Sequence, residues 1–190
     1  MSAPVFRRRT ALLSSLGLVL VALPVLGAAS ACQSLAGGPV LSMAEYQERV
    51  ADTEAAGERA LGELHPAPRA GGGTLDEAGS SCKDEFGFDD GGVTRSEPQY
   101  EWSLEFADRD AYLTAVENLH RAWTERGLDV RRVETDEDTG LPGVTATDDG
   151  IELTLAPDWY AHEPVLRADA GCLRHEYDYR HQDEDGSPSY

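Results

Sequence analysis

Residues Tyr100–Phe106 are Tyr-Glu-Trp-Ser-Leu-Glu-Phe. Apolar and polar side chains alternate through all seven positions, which is the pattern of a β-strand with one buried face. An amphipathic helix is predicted directly afterwards, because Asp108 can cap it and Gly127 is well placed to end it. Its apolar positions share one side at helical spacing: Tyr112, Ala115, Val116, Leu119 and Trp123.

Four more strands are predicted after this helix. The first covers Val130–Glu134, and the next two, Val144–Thr147 and Ile151–Leu155, flank Asp148-Asp149-Gly150, a strong signal for a tight hairpin turn. The last is expected at Pro164–Leu173. The side chains expected in the core are Trp102, Leu104, Leu119, Trp123, Ile151 and Leu153.

An earlier helix is predicted to begin at Ser42, which forms a capping box with Glu45. It should end before Pro66, and Gly57 and Gly62 weaken it. Its apolar stripe consists of Met43, Tyr46, Val50, Leu61 and Leu64. This spacing is typical of a face that packs on a core or a partner.

The order of these elements predicts an α+β fold, with an antiparallel-dominated sheet of about five strands and two helices packed on one face. Residues 42–173 are expected to form one domain, in which the Gly-, Pro- and Asp-rich residues 66–99 form a long loop. Residues 174–190 are expected to be an acidic, disordered tail.

Residues 1–31 have the three-part layout of an export signal. Arg7-Arg8-Arg9 begins it, Ala11–Leu26 is its apolar segment, and Ala29-Ser30-Ala31 is a small-residue exit. The apolar run is shorter than the roughly 20 residues that a spanning helix needs, so a cleaved signal is favoured over an uncleaved anchor. Arg8-Arg9 also resembles a twin-arginine signal, although ordinary positive charge explains it as well.

Cys32 follows the small residues directly, as the lipidated cysteine does in the bacterial lipobox. Ala29 departs from this pattern, in which leucine is the most frequent residue at that position. We expect lipidation at Cys32, a tether over residues 32–41 and a location on the outer face of the cell membrane. The alternative is a secreted protein cut after Ala31.

The chain has three cysteines, an odd number for an exported protein. If Cys32 carries lipid, Cys82 and Cys172 can form a disulfide, which is expected outside the membrane. The chain has no C-x-x-C motif, so a disulfide is favoured over zinc or redox chemistry.

The formal net charge is −19 at pH 7, from 16 basic and 35 acidic residues. This charge argues against binding to nucleic acid or anionic lipid headgroups. It is compatible with cationic partners, and also with solubility alone.

No set of residues reaches the specificity of a known catalytic site, so no catalytic residue, metal or cofactor is assigned and the chain is expected not to be an enzyme. It lacks the G-x-S-x-G motif of a serine hydrolase. The paired acids Asp84-Glu85, Asp89-Asp90 and Asp136-Glu137-Asp138 could serve glycosidase chemistry, but such pairs are common in an acidic chain.

Two segments contain side chains that could bind a cation. Asp136-x-Asp138-x-Gly140 resembles the start of a calcium loop, but its glycine comes one position early and Thr147 occupies the place of the bidentate glutamate. In the tail, His175 and His181 lie among acidic residues and could bind a divalent cation weakly.

The pattern resembles that of small actinobacterial lipoproteins, a group to which no activity is assigned. The matching elements are Cys82, Tyr100-Glu101-Trp102, Arg126-Gly127-Leu128, the hairpin at 144–150, and Cys172. The resemblance implies an α+β domain, an extracytoplasmic location and one disulfide, and it implies no catalytic residue.

We therefore expect a membrane-anchored, non-catalytic extracytoplasmic lipoprotein that acts as an envelope interaction or accessory domain. Its partners would be the membrane, through lipid on Cys32, and an unidentified envelope protein or ligand. The alternative is a weak binder of metal ions or small cationic ligands through the acidic loops and tail.

Overall fold

The computed structural model describes residues 38–76, Cys82, Asp89 and residues 92–176. This part of the chain contains two helices and ten strands. The helices are α1 (Met43–Gly62) and α2 (Arg109–Glu125). The strands are β1 (Val40–Leu41), β2 (Arg69–Ala70), β3 (Thr74–Asp76), β4 (Val93–Ser96), β5 (Gln99–Glu105), β6 (Asp129–Val133), β7 (Gly143–Asp148), β8 (Ile151–Pro157), β9 (Pro164–Asp169) and β10 (Leu173–Glu176).

The strands form one large and one small sheet. The large sheet has seven strands in the order β2-β5-β9-β8-β7-β6, with β3 also paired to β5, and all of its pairs are antiparallel. The small sheet has the order β1-β10-β4, in which β1 and β10 are parallel. The α+β class, the two helices and the large antiparallel sheet are thus confirmed.

The predicted number of about five strands is wrong, because the described residues form ten strands in two sheets. Four of the additional strands, β1 to β4, have only two to four residues each. They lie in the segments predicted as tether and long loop. Strands this short have too few positions to show an alternating pattern, and their pairing with β5 and β10 defines them.

Both helices cover the same face of the large sheet. Helix α1 contacts β5, β8 and β9, while α2 contacts β6 and β7. The register places Trp102 opposite Leu166, and Leu153 opposite Ala168, so these apolar side chains face the helices together. The six side chains expected in the core are all buried: Trp102, Leu104, Leu119, Trp123, Ile151 and Leu153.

The predicted helix caps are confirmed. Ser42 caps α1, with its backbone N–H donating to the Glu45 carboxylate at 2.8 Å and its Oγ accepting from the Glu45 N–H at 3.3 Å. Asp108 caps α2 by accepting a hydrogen bond from the Ala111 N–H at 2.8 Å. Helix α1 ends at Gly62, before Pro66 as expected.

The hairpin between β7 and β8 is also confirmed. Asp148 pairs with Ile151, and Asp149 and Gly150 form the two-residue turn with φ angles of 49° and 72°. Two positive φ angles are the signature of the turn that matches the twist of paired strands. The local sequence is therefore sufficient to specify this hairpin.

The predicted last strand, Pro164–Leu173, is in fact two strands. Strand β9 ends at Asp169, whose carboxylate accepts a hydrogen bond from the Gly171 N–H at 2.7 Å, and β10 begins at Leu173. Cys172 lies in this turn, outside both strands. Residues 174–176, predicted as tail, belong to β10, and residues 40–41, predicted as tether, form β1.

Candidate interaction surface

The structure joins Cys82 to Cys172 in a disulfide, with 5.2 Å between the Cα atoms. The bridge connects the segment between β3 and β4 to the turn between β9 and β10. Cys32 lies outside the described residues. Neither helix of the described part has the length and apolar character needed to cross a membrane.

Asp89 forms a buried ion cluster near this end of the domain. Its carboxylate accepts a hydrogen bond from Arg174 Nε at 2.7 Å and another from Arg95, and only 8% of the Asp89 side chain is exposed. The hydrogen bond from Arg95 and then that from Arg174 hold the pKa of Asp89 below its usual value. Asp89 therefore holds β4 and β10 together, whereas its predicted acidic partner, Asp90, lies outside the described residues.

His175, considered as a cation ligand, is buried. Its ring stacks on Tyr46 with 3.9 Å between the ring centroids, and its Nε2 lies 3.1 Å from Ser96 Oγ. Both nitrogens have protein partners, since Nδ1 lies 3.0 Å from the Glu176 carbonyl oxygen. His175 therefore packs β10 against α1, and His181 lies outside the described residues.

The loop between β8 and β9, residues 158–163, is held in shape by Asp158. The Asp158 carboxylate accepts hydrogen bonds from the N–H groups of Tyr160 at 2.9 Å and Ala161 at 2.7 Å. Its backbone N–H donates to Glu163 O, and its carbonyl accepts from the His162 N–H. These N–H donors, Ala161 foremost, lower the pKa of Asp158 and keep the turn-forming carboxylate ionised.

This loop exposes two adjacent aromatic side chains, Trp159 and Tyr160, which we call the aromatic tip. Their exposed fractions are 81% and 87%. By contrast, the other two tryptophans, Trp102 and Trp123, are 3% and 0% exposed. Large apolar side chains exposed next to one another in the chain, on an ordered loop, are typical of interaction sites.

His162 brings a distant acidic loop beside the aromatic tip. Its Nδ1 lies 3.4 Å from the Asp136 carboxylate, and its Nε2 lies 3.5 Å from the Asp138 carboxylate. Asp136 also accepts hydrogen bonds from Thr139 Oγ1 at 2.6 Å and the Thr139 N–H at 2.7 Å, which together with His162 lower its pKa. The exposed carboxylates around this contact, Glu137, Asp138 and Glu163, are called the acidic rim.

The base of the loop is tied to the open face of the large sheet by Arg167. Its guanidinium donates to the Glu101 carboxylate at 2.7 Å and lies 3.8 Å from the Asp158 carboxylate. The positive charge of Arg167 is thus shared between two acids. It supports the turn through Asp158 and not through the carboxylates of the acidic rim.

A cleft of about 570 Å³ lies at the foot of the same loop and is bordered there by Glu163 and Pro164. The Tyr112 hydroxyl in this cleft donates to Pro142 O at 2.6 Å, and Arg109 donates to the carbonyls of Thr139 and Gly140. These polar groups are therefore already engaged by backbone. The rest of the lining combines the apolar side chains of Leu104, Phe106, Leu141 and Pro164 with the acidic residues Glu105, Asp108 and Glu163.

Within the described ranges, no group of three or more His, Cys, Asp or Glu side chains is arranged to hold a metal ion. The segment that resembles a calcium loop uses Asp136 for its own turn and for the contact with His162. Through these contacts with His162, the acidic loop lies beside the loop that carries the aromatic tip.

Trp159, Tyr160 and His162 are not among the residues predicted from the sequence to form a site. A signal for the aromatic pair was present, because Trp159 and Tyr160 lie between the predicted strands Ile151–Leu155 and Pro164–Leu173, and connecting segments run over the protein surface. The contact of His162 with residues 136 and 138 had no local signal.

Comparisons with protein-family models, curated proteins and solved structures find no match to this chain. The function is therefore inferred from the geometry of the described residues. The aromatic tip and its acidic rim are the features that this geometry leaves exposed.

Proposed function

We propose that this chain is a non-catalytic, extracytoplasmic lipoprotein domain that binds an envelope partner through its aromatic tip. The observation that carries the proposal is the exposure of Trp159 and Tyr160, 81% and 87%, on a turn held by Asp158. Tryptophan and tyrosine are enriched among the residues that contribute most to protein–protein binding. Leaving both in water has no benefit for the fold itself.

The order of the loop supports this role. Asp158 accepts three hydrogen bonds and donates one, and together with the contacts of His162 these hold the turn in one conformation before any partner binds. A preorganised loop loses less conformational entropy on binding, so more of the contact energy appears as affinity.

The lipid anchor is supported by the small-residue run before Cys32 and by the chain between this cysteine and β1. The eight residues 32–39, if extended, reach roughly 25–30 Å. That distance would place the domain close to the outer face of the membrane, within reach of other envelope proteins.

Position-specific photo-crosslinking in intact envelopes tests the proposal. Tyr160→p-benzoylphenylalanine keeps an aromatic group at the tip and leaves Trp159 in place. Leu75→p-benzoylphenylalanine is the matched control, because Leu75 is an exposed apolar residue of β3, away from the tip in the chain. We expect a discrete crosslinked species from position 160 and not from position 75, and its loss when Trp159→Ala is added.

Equal crosslinking at the two positions, or a species that persists with Trp159→Ala, would contradict the proposal. Either result would show that proximity to the membrane surface, and not the aromatic tip, produces the contact.

A further inference from the structure

We infer that the partner of the aromatic tip presents a positively charged protein surface rich in Arg and Lys. This inference rests on the proposed function and assigns the chemistry of its partner. It follows from two properties that the fold brings together, the exposed rings of Trp159 and Tyr160 and the acidic rim of Glu137, Asp138 and Glu163.

The charges around the tip are predominantly negative. His162 fixes the 136–138 segment beside the loop through contacts of 3.4 and 3.5 Å, and Glu163 follows directly in the chain. Three basic side chains lie near these carboxylates: Arg167 interacts with Glu101 and Asp158, Arg109 donates to the carbonyls of Thr139 and Gly140, and His162 contacts Asp136 and Asp138. A cationic partner would meet the exposed carboxylates of Glu137 and Glu163, and the net charge of −19 on the whole chain would attract it toward the protein.

The aromatic rings also favour a partner rich in arginine and lysine. A guanidinium or ammonium group placed over the face of tryptophan or tyrosine is attracted by the ring quadrupole, most strongly at tryptophan. Arginine in addition stacks its planar group on the ring and forms paired hydrogen bonds with carboxylates. An arginine side chain at this surface can stack on an aromatic ring and also pair with a carboxylate of the acidic rim.

An anionic lipid surface is disfavoured by the same charges, since phosphate groups would be repelled by the rim. Insertion of the aromatic rings into a membrane is the alternative that the test below distinguishes from binding to a basic protein. It predicts protection of Trp159 by vesicles and not by basic peptide.

Tryptophan fluorescence can report on the aromatic tip separately from the rest of the protein. Of the three tryptophans in the chain, all within described residues, Trp159 is 81% exposed and the other two are buried, so acrylamide quenching reports mainly on Trp159. The probes are an octaarginine peptide, an octaglutamate peptide, phosphatidylcholine vesicles, and vesicles that also contain phosphatidylglycerol. Trp159→Phe provides the blank, because it keeps an aromatic ring and removes the signal.

We expect octaarginine to protect Trp159 from acrylamide, and octaglutamate and both kinds of vesicle to leave it accessible. The affinity for octaarginine should fall severalfold between 50 and 300 mM salt, about the range over which exposed charges become screened. Glu137→Gln with Glu163→Gln should weaken it at least threefold. Glu48→Gln with Glu58→Gln, the same charge change on exposed positions of α1, should alter it less than twofold.

Equal weakening by the two double variants would overturn the inference, because binding would then follow net charge and not the rim. Protection by vesicles without protection by octaarginine would overturn it as well, in favour of a lipid-facing tip. A specific crosslink at position 160 together with no protection by octaarginine would retain the proposed function and reject the basic partner. If neither a specific crosslink at position 160 nor protection by octaarginine is observed, both the proposed function and the basic partner are rejected.

Discussion

Gly57 of α1 lies directly against the indole ring of Trp102 in β5, so closely that a Cβ atom on Gly57 would overlap the ring. The same Cβ would also lie 3.1 Å from the Cβ of Ala168 in β9. The missing side chain therefore allows the helix to approach the sheet at this point. From the sequence alone, Gly57 is a residue that weakens the helix. In the fold, its lack of a side chain is required for α1 to pack against Trp102.

Gly57→Ala is expected to destabilise the domain by about 1–3 kcal/mol, because the added methyl group must displace Trp102 or the helix. Gly62→Ala is the matched control in the same helix, since a Cβ there meets nothing within 4 Å. It should be neutral or stabilising by about 0.4–1 kcal/mol through the unfolded state. Urea unfolding measures both, and a stabilising Gly57→Ala would contradict the contact with Trp102.

Leu153→Ala should lower the free energy of unfolding by about 2–5 kcal/mol, because Leu153 is buried under the helices and its truncation leaves a cavity. Glu152→Gln, at the neighbouring exposed position of β8, is the control and should change stability little. Thermal or urea denaturation provides the measurement. A loss at Leu153 within experimental error of zero would show that this face of the strand is not the buried one.

Removing the disulfide with Cys82→Ser and Cys172→Ser should cost up to about 4 kcal/mol, since the bridge closes a loop with a sequence separation of 90 residues. Hydrogen exchange should show lost protection in β4 and β10 while β7 and β8 retain theirs. Mass spectrometry after alkylation without reduction checks the bridge directly. Alkylation of both Cys82 and Cys172 in protein from an oxidising compartment would contradict it.

Asp89→Asn is expected to destabilise the domain by roughly 3 kcal/mol near pH 7, because Arg95 and Arg174 would keep their buried charges without the carboxylate. Glu48→Gln on the exposed side of α1 is the control and should be nearly neutral. Urea unfolding of the three proteins at one ionic strength gives the comparison. A loss no larger than that of the control would show that the cluster is not stabilising.

The cost of Asp89→Asn should also depend on pH. The pKa of Asp89 is lowered in the folded state, so its ionised form contributes stability above the unfolded pKa of about 3.9. This contribution is lost as the pH falls through the lowered, folded-state pKa. The difference between wild type and variant should therefore be constant from pH 7 to about pH 5 and shrink in more acidic solution, and a difference that grows on acidification would oppose this account.

Cys32→Ser should abolish incorporation of a fatty-acid probe, because the thiol is the acceptor of the lipid in the proposed signal. The variant should accumulate as uncleaved precursor or be released into the medium, which fractionation and immunoblotting measure. Cys82→Ser serves as a control that removes a thiol without affecting the signal. Continued labelling of Cys32→Ser with retention at the membrane would exclude the lipobox interpretation.

The elements that were predicted correctly are those determined by residues close together in the sequence. The alternation at Tyr100–Phe106, the caps at Ser42 and Asp108, and the turn at Asp149-Gly150 each depend on residues within a few positions of one another. Side-chain periodicity and hydrogen bonds between near neighbours determine them, so the amino-acid pattern was sufficient. Pairing of the two remaining cysteines was predictable for a different reason, because only one bridge was available once Cys32 was set aside.

The features that required the tertiary structure are those that join distant residues. Asp89 meets Arg174 across 85 positions, and His162 meets Asp136 across 26, while the short strands β1 to β4 exist through pairing with β5 and β10. A single carboxylate or imidazole has the same local pattern whether it lies in solvent or against a partner. Only the packing of the sheet brings the acidic loop beside the loop of Trp159 and Tyr160, because that proximity depends on the pairing of β7 with β8, in which Val144 lies opposite Leu155, and not on any spacing within either segment.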